Sequence, residues 1–219
     1  MSTSPTPRRP FLLTAAIIGG PLAGAVWHLV EKVGLPRTEA ADYLAQVAAN
    51  RSNFAISTLL YMVFVGCFIP LGLAVMRVLR GRAPLAATIS GLLFGLAGAL
   101  GLVVSGMRPL VLGLAPEGPV IAEAAAAYQR YQSSPWFDFV MLAMLASVLI
   151  GLVVLAAAIL RTGVLPRWTA ALLVGGFVLS SGEFPPAVTI LGGVVQLAGF
   201  LPLAGRLVAE TEAKPAVLI

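Results

Sequence analysis

Glu31 and Glu183 are the side chains best placed to do chemistry. They stand 152 residues apart, each at the edge of an apolar run. Asp138 opens a third run and Arg108 closes a fourth. A charged group at membrane depth is costly, and its presence is by default a functional hypothesis. Desolvation favours the protonated form of a carboxyl among hydrocarbon, and such an acid can donate a proton near neutral pH. Aromatic faces stabilise cations by about 0.5–2 kcal/mol each, and dry walls protect a reactive intermediate from water. Glu31, Glu183 and Asp138 are therefore the candidate catalytic acids. Trp27, His28, Tyr61, Phe64, Arg108, Trp136, Phe137, Phe177 and Phe184 are the candidate substrate-binding residues. This set suits protonation of an alkene or epoxide followed by cyclisation through carbocations.

Each of these residues also has an ordinary role. Trp27, His28 and Trp136 fit an interfacial aromatic belt. Asp138, three residues past Pro135, fits the first turn of a helix. Glu31 beside Lys32 fits a solvated helix end, and Arg108 can snorkel to the interface. Glu183 resists such a reading, because Phe184-Pro185-Pro186 follows it with apolar sequence on both sides. Broken backbone in a membrane is tolerated where it lines a cavity.

Several chemistries are excluded. One histidine and one cysteine, Cys67, cannot make a His-rich metal site, an intrachain disulfide or a CxxC pair. Aspartate-rich diphosphate motifs, a P-loop and a GxSxG elbow are missing. No metal site and no cofactor are expected.

The elements that must carry these residues follow from composition. Of 219 residues, 59% are hydrophobic and 11% charged, with a mean hydropathy of +0.97. Soluble domains carry about 25% charged residues, and a span needs about 20 apolar residues. The expected fold is all-α: a polytopic bundle of about six transmembrane helices. The spans are 11–30, with Gly19-Gly20-Pro21 as a kink; 54–76, containing Pro70; 85–107; 137–160; the short 169–181; and 187–207. One transmembrane domain covers 11–207, between cytoplasmic tails 1–10 and 208–219. Arg8 and Arg9 look like a signal n-region, but the run after them is long enough to span and reads as the first helix.

The excess of 14 Lys and Arg over 9 Asp and Glu points to membrane orientation and not to nucleic acid. With the N terminus inside, nine basic residues lie inside and five outside. Both termini are then cytoplasmic in a multi-pass cell-membrane protein, and all candidate acids fall at the outer side. The inner half reads as nearly free of intramembrane polar groups beyond Ser57, Thr58 and Thr88, which weighs against ion transport.

Two outer loops carry short surface helices. Thr38 to Asp42 supplies a capped start with early acids, and Leu44, Val47, Ala48 and Arg51 share a face. Pro119 begins the other, with Glu123 early and Tyr128 and Tyr131 near its end. Small-xxx-small pairs such as Gly91/Gly95 and Gly95/Ala99 point to close helix packing. A faint repeat at an offset of 82 aligns Phe54 with Trp136 and Pro84 with Pro166.

The runs Thr38–Asn53 and Leu160–Trp168 resemble uncharacterised actinobacterial multi-pass membrane proteins, which implies the architecture alone. The widely spaced pair Glu31 and Glu183 resembles the two embedded acids of small integral-membrane terpene cyclases from meroterpenoid and indole-sesquiterpenoid pathways. That resemblance implies a cofactor-free, metal-independent cyclase acting on a prenylated lipophilic substrate within membrane lipids. One of Glu31 and Glu183 would donate the initiating proton, and the other would help remove the final one. The alternative is a non-enzymatic membrane protein: a lipid or small-molecule carrier, or a subunit that binds a partner.

Overall fold

Proline starts helices and left-handed glycine ends them, and both devices set element boundaries here. The computed structural model describes residues 8–34, 39–115, 122–182 and 184–212. Among these the order is α1 (Arg8–Gly34), α2 (Ala40–Ala49), α3 (Arg51–Gly66), α4 (Phe68–Leu79), α5 (Pro84–Leu114), α6 (Ala122–Gln132), α7 (Pro135–Thr162), α8 (Arg167–Ser181) and α9 (Pro186–Glu212). Prolines 84, 135 and 186 occupy the first helical positions of α5, α7 and α9, where their missing N–H is no loss. Gly163 closes α7 at φ +60°.

Five stretches are long and apolar enough to cross a membrane: 12–31, 51–79, 84–114, 135–162 and 186–209. The protein is thus an all-α, multi-pass helical bundle, and its outward faces carry leucines such as Leu59, Leu85 and Leu142. The sixth expected span is α8, only 15 residues long. It runs antiparallel to α9, with Leu173 against Gly199, Gly176 against Gln196 and Ser180 against Gly192.

Two boundaries differ from expectation. The second span is interrupted at Cys67, one turn before Pro70. Pro70 has no N–H for the carbonyl four residues back, at Gly66, so the ladder opens upstream of the proline itself. The third span continues past Met107 to Leu114, taking Arg108 and Pro109 into the helix. The added turns are held because Val111 and Ala115 are buried against the outer helices.

The core is dry. Phe94, Leu152 and Leu155 are fully buried, and Phe200 nearly so. Between α4 and α5 the backbones nearly touch: a Cβ on Gly72 would lie 2.4 Å from the Gly91 carbonyl oxygen. Gly91 thus meets the packing role expected of it, while a Cβ on Gly95 would meet nothing within 4 Å.

The two surface helices form a cap on one end of the bundle. Tyr43 of α2 stacks on Tyr128 of α6 at 5.4 Å. Leu44 and Val47 are wholly buried against Phe54, Val111 and Ala115. Glu39 stands at the cap position of α2 without a side-chain capping bond; Thr38 and Pro119 lie outside the described residues. Arg51, expected on the α2 face, starts α3 and donates to the Ala115 carbonyl at 2.5 Å. The Tyr131 hydroxyl donates to the Met107 sulfur at 3.2 Å.

Burial pushes the Tyr131 phenol above its ordinary value, and the nearby Arg108 charge pulls it partly back. A raised folded-state pKa means that the neutral phenol is the form that docks. Its contribution is complete below about pH 10, the unfolded value, and is lost as pH rises through the folded value. Cap docking is therefore expected to be constant from neutral to mildly alkaline pH and to loosen above about pH 10. Protease protection of the cap followed against pH, with Tyr131→Phe removing the tyrosine-dependent step, checks this.

Candidate functional site

α1 and α3 pack antiparallel in a fixed register: Gly20 faces Cys67, Gly24 faces Phe64, Trp27 faces Tyr61 and Glu31 faces Ser57. That register carries Glu31 to the N-terminal end of α3, where α5 presents Arg108. The Arg108 Nη2 donates to Glu31 Oε2 at 2.8 Å and to Ser57 Oγ at 2.9 Å. Nη1 reaches Oε1 at 3.5 Å, and Nε donates to Thr58 Oγ1 at 3.2 Å. Ser57 Oγ donates to the same carboxylate oxygen, and Trp27 Nε1 does so at 3.2 Å. The Thr58 hydroxyl donates to the Phe54 carbonyl at 2.9 Å. The guanidinium lies 5.0 Å from the Phe54 ring centre and 5.5 Å from that of Tyr61. The residues Glu31, Ser57 and Thr58 are all buried, and the Arg108 side chain is 12% exposed.

The cluster is densely bonded. Glu31 Oε2 accepts from three donors, and Arg108 engages all three of its nitrogens. Two charges out of water are tolerable only when paired and hydrogen-bonded in this way. Chemically it is a clasp across three helices, and its carboxylate serves as an acceptor.

An aromatic ladder descends from the clasp. Trp27 lies 4.5 Å from His28, 4.8 Å from Tyr61 and 6.2 Å from Phe64. Phe64 meets Phe68 edge-on at 5.3 Å, and Phe68 stacks on Phe94 at 6.2 Å. At the level of Phe64 and Phe68 a half-open cleft of about 270 Å³ lies between α1, α4 and α9, its mouth included. It is narrow, with room for about one water-sized group at its base. Gly20, Pro21, Cys67 and Leu71 form its walls, with Gln196 and Phe200 from α9. These positions are close to the middle of the spans 12–31, 51–79 and 186–209.

The structure brings Glu31, Arg108, Trp27, His28, Tyr61 and Phe64 into one neighbourhood. Asp138, by contrast, is exposed in the first turn of α7, below a Ser134 cap, and among the described residues it takes no part in the clasp. Trp136 is exposed and Phe137 half-buried, beside a separate hollow of about 230 Å³ that Val103, Met107 and Tyr131 also line. Phe177 packs on the core from α8, and Phe184 is exposed after its end. Glu183 lies outside the described residues. No group of three His, Cys, Asp or Glu gathers among the described residues.

Ser57 and Thr58 correct the sequence reading. They lie at the same bundle end as Glu31 and Arg108 and not in the opposite half, because α3 starts at that end. Phe54 and Gln196 were missed. Gln196 carried a signal, a lone amide in the apolar run of α9; Phe54 carried none apart from its neighbours.

No curated protein and no solved structure matches this chain. A family profile described as a domain of unknown function (DUF4386) matches residues 11–211.

Proposed function

The chain belongs to the DUF4386 family, whose match spans nearly the whole bundle, and from that premise we propose a non-enzymatic membrane protein that binds a small lipophilic molecule taken directly from the bilayer, as a carrier or binding subunit. One observation carries this reading. The interruption at Cys67 and Pro21 of α1 meet at one depth, and a cleft opens there among apolar walls. Ligand sites in membrane bundles form where irregular helices meet near mid-depth, and irregular backbone is tolerated there because it lines a cavity. The cap of α2 and α6 covers one bundle end, which favours lateral entry.

A cyclase needs an acid free to donate and a chamber that folds a prenyl chain. Glu31 is held by Trp27, Ser57 and Arg108, and the cleft is narrow at its base, while Glu183 lies outside the described residues. The exposed arginines 77, 80, 82, 161 and 167 at the end opposite the clasp support placing that end in the cytoplasm.

Native mass spectrometry of the protein released from its own membranes tests the proposal. A retained lipophile that is neither detergent nor phospholipid is the expected result. Conversion of a prenylated alkene or epoxide to a cyclic product by the purified protein would overturn it.

A further inference from the structure

We infer that the cleft is a binding site for a lipophile bearing a hydroxyl or carbonyl oxygen, which Gln196 receives. This rests on the lipophile-binding reading and adds the chemistry of the ligand. Gln196 is 4% exposed, in the middle of an apolar span. Its amide makes no hydrogen bond among the described residues, and it lines the cleft. An amide left without a partner in hydrocarbon is costly. The walls around it are Ile17, Gly20, Phe64, Phe68 and Phe200, whose side chains offer no hydrogen bond, and Cys67, whose thiol offers only a weak one. The occupant must therefore bring the oxygen itself.

The size and depth of the cleft narrow the class further. Room for about one water-sized group fits a single hydroxyl or carbonyl oxygen, with the apolar remainder lying along Phe64 and Phe68 toward the mouth. The ester carbonyls of ordinary phospholipids sit at the interface, about 15 Å from the centre of a hydrocarbon core roughly 30 Å thick. An oxygen at mid-depth belongs to a molecule that dissolves in the core: a long-chain or prenyl alcohol, ketone or quinone. The amide can donate to a carbonyl and can both donate to and accept from a hydroxyl.

The test uses the full-length protein in phosphatidylcholine vesicles with two photoreactive probes, a diazirine analogue of farnesol and the matching hydrocarbon without the hydroxyl. The farnesol probe is expected to label peptides around Phe64–Leu71 and Gln196. Gln196→Leu is expected to lower that labelling about tenfold, the value of one lost hydrogen bond in a dry site, and to leave hydrocarbon labelling unchanged. The same substitution is expected to raise the Tm of the ligand-free protein, because it replaces an amide in an apolar cleft wall by hydrocarbon; a structural hydrogen-bonding role would lower it. If both probes label Gln196→Leu as well as the original protein, the role of Gln196 is overturned and lipophile binding stands. If neither probe labels the cleft, the cleft holds only water, and the lipophile-binding reading falls with this one.

Discussion

Arg108→Leu is expected to destabilise the bundle by about 3–5 kcal/mol, the cost of leaving a buried charge without its partner. The loss is specific because Arg108 serves Glu31, Ser57 and Thr58 at once, and each would keep a polar atom facing an apolar replacement. Glu31→Leu strands the guanidinium in the same way. The double substitution Glu31→Leu with Arg108→Leu should recover most of the loss, since replacing a whole buried pair by apolar groups is often neutral. Arg108→Lys should fall between, because an ammonium cannot reach three partners with the planar fork of a guanidinium. Reversible unfolding of the detergent-solubilised protein measures all four. A single Arg108→Leu within about 1 kcal/mol of the original protein, the range of an exposed pair, would refute the clasp.

Gly72→Ala and Gly91→Ala form the second large effect, about 1–3 kcal/mol each from overpacking. A Cβ at Gly72 would meet the Gly91 carbonyl oxygen at 2.4 Å, and one at Gly91 would meet the Met76 side chain at 2.3 Å and the Gly72 oxygen at 2.8 Å. Met76 can swing aside, but the two carbonyl oxygens are backbone and cannot, so α4 and α5 must move apart along their shared length. The internal control lies on the same helix. A Cβ on Gly106 or Gly113 meets nothing within 4 Å, so alanine there should be neutral or gain up to about 1 kcal/mol from helix propensity. Thermal stability of the four variants in one detergent separates packing from propensity. Equal losses at all four positions would contradict the close approach.

The spans were legible because apolar length is a coarse signal that survives local irregularity. The cap helices were legible for the same kind of reason: Leu44 and Val47 repeat at helical spacing, and both are wholly buried. Half of the candidate site was legible. Glu31 and Arg108 announced themselves as charges at span ends, and Trp27, Tyr61 and Phe64 do line the column beneath them. What could not be read was which charge meets which. Asp138, Glu31 and Arg108 all sit at one end, yet only the last two pair, because the α1–α3 register and the extra turns of α5 decide it. The interruption at Cys67 was illegible for a different reason. A proline marks the position of its missing donor, while the disturbance falls a turn earlier, where nothing in the residue types reports it.

The shortness of α8 has a consequence for the surrounding lipid. Fifteen residues rise about 22 Å at 1.5 Å per residue, against a hydrocarbon thickness of about 30 Å. One flank of the molecule is thus several ångströms shallower than the flank built from α5 and α7. Acyl chains beside α8 must shorten or splay to meet it, at a modest cost per ångström of mismatch. Shorter-chain lipids are therefore the expected neighbours on that side.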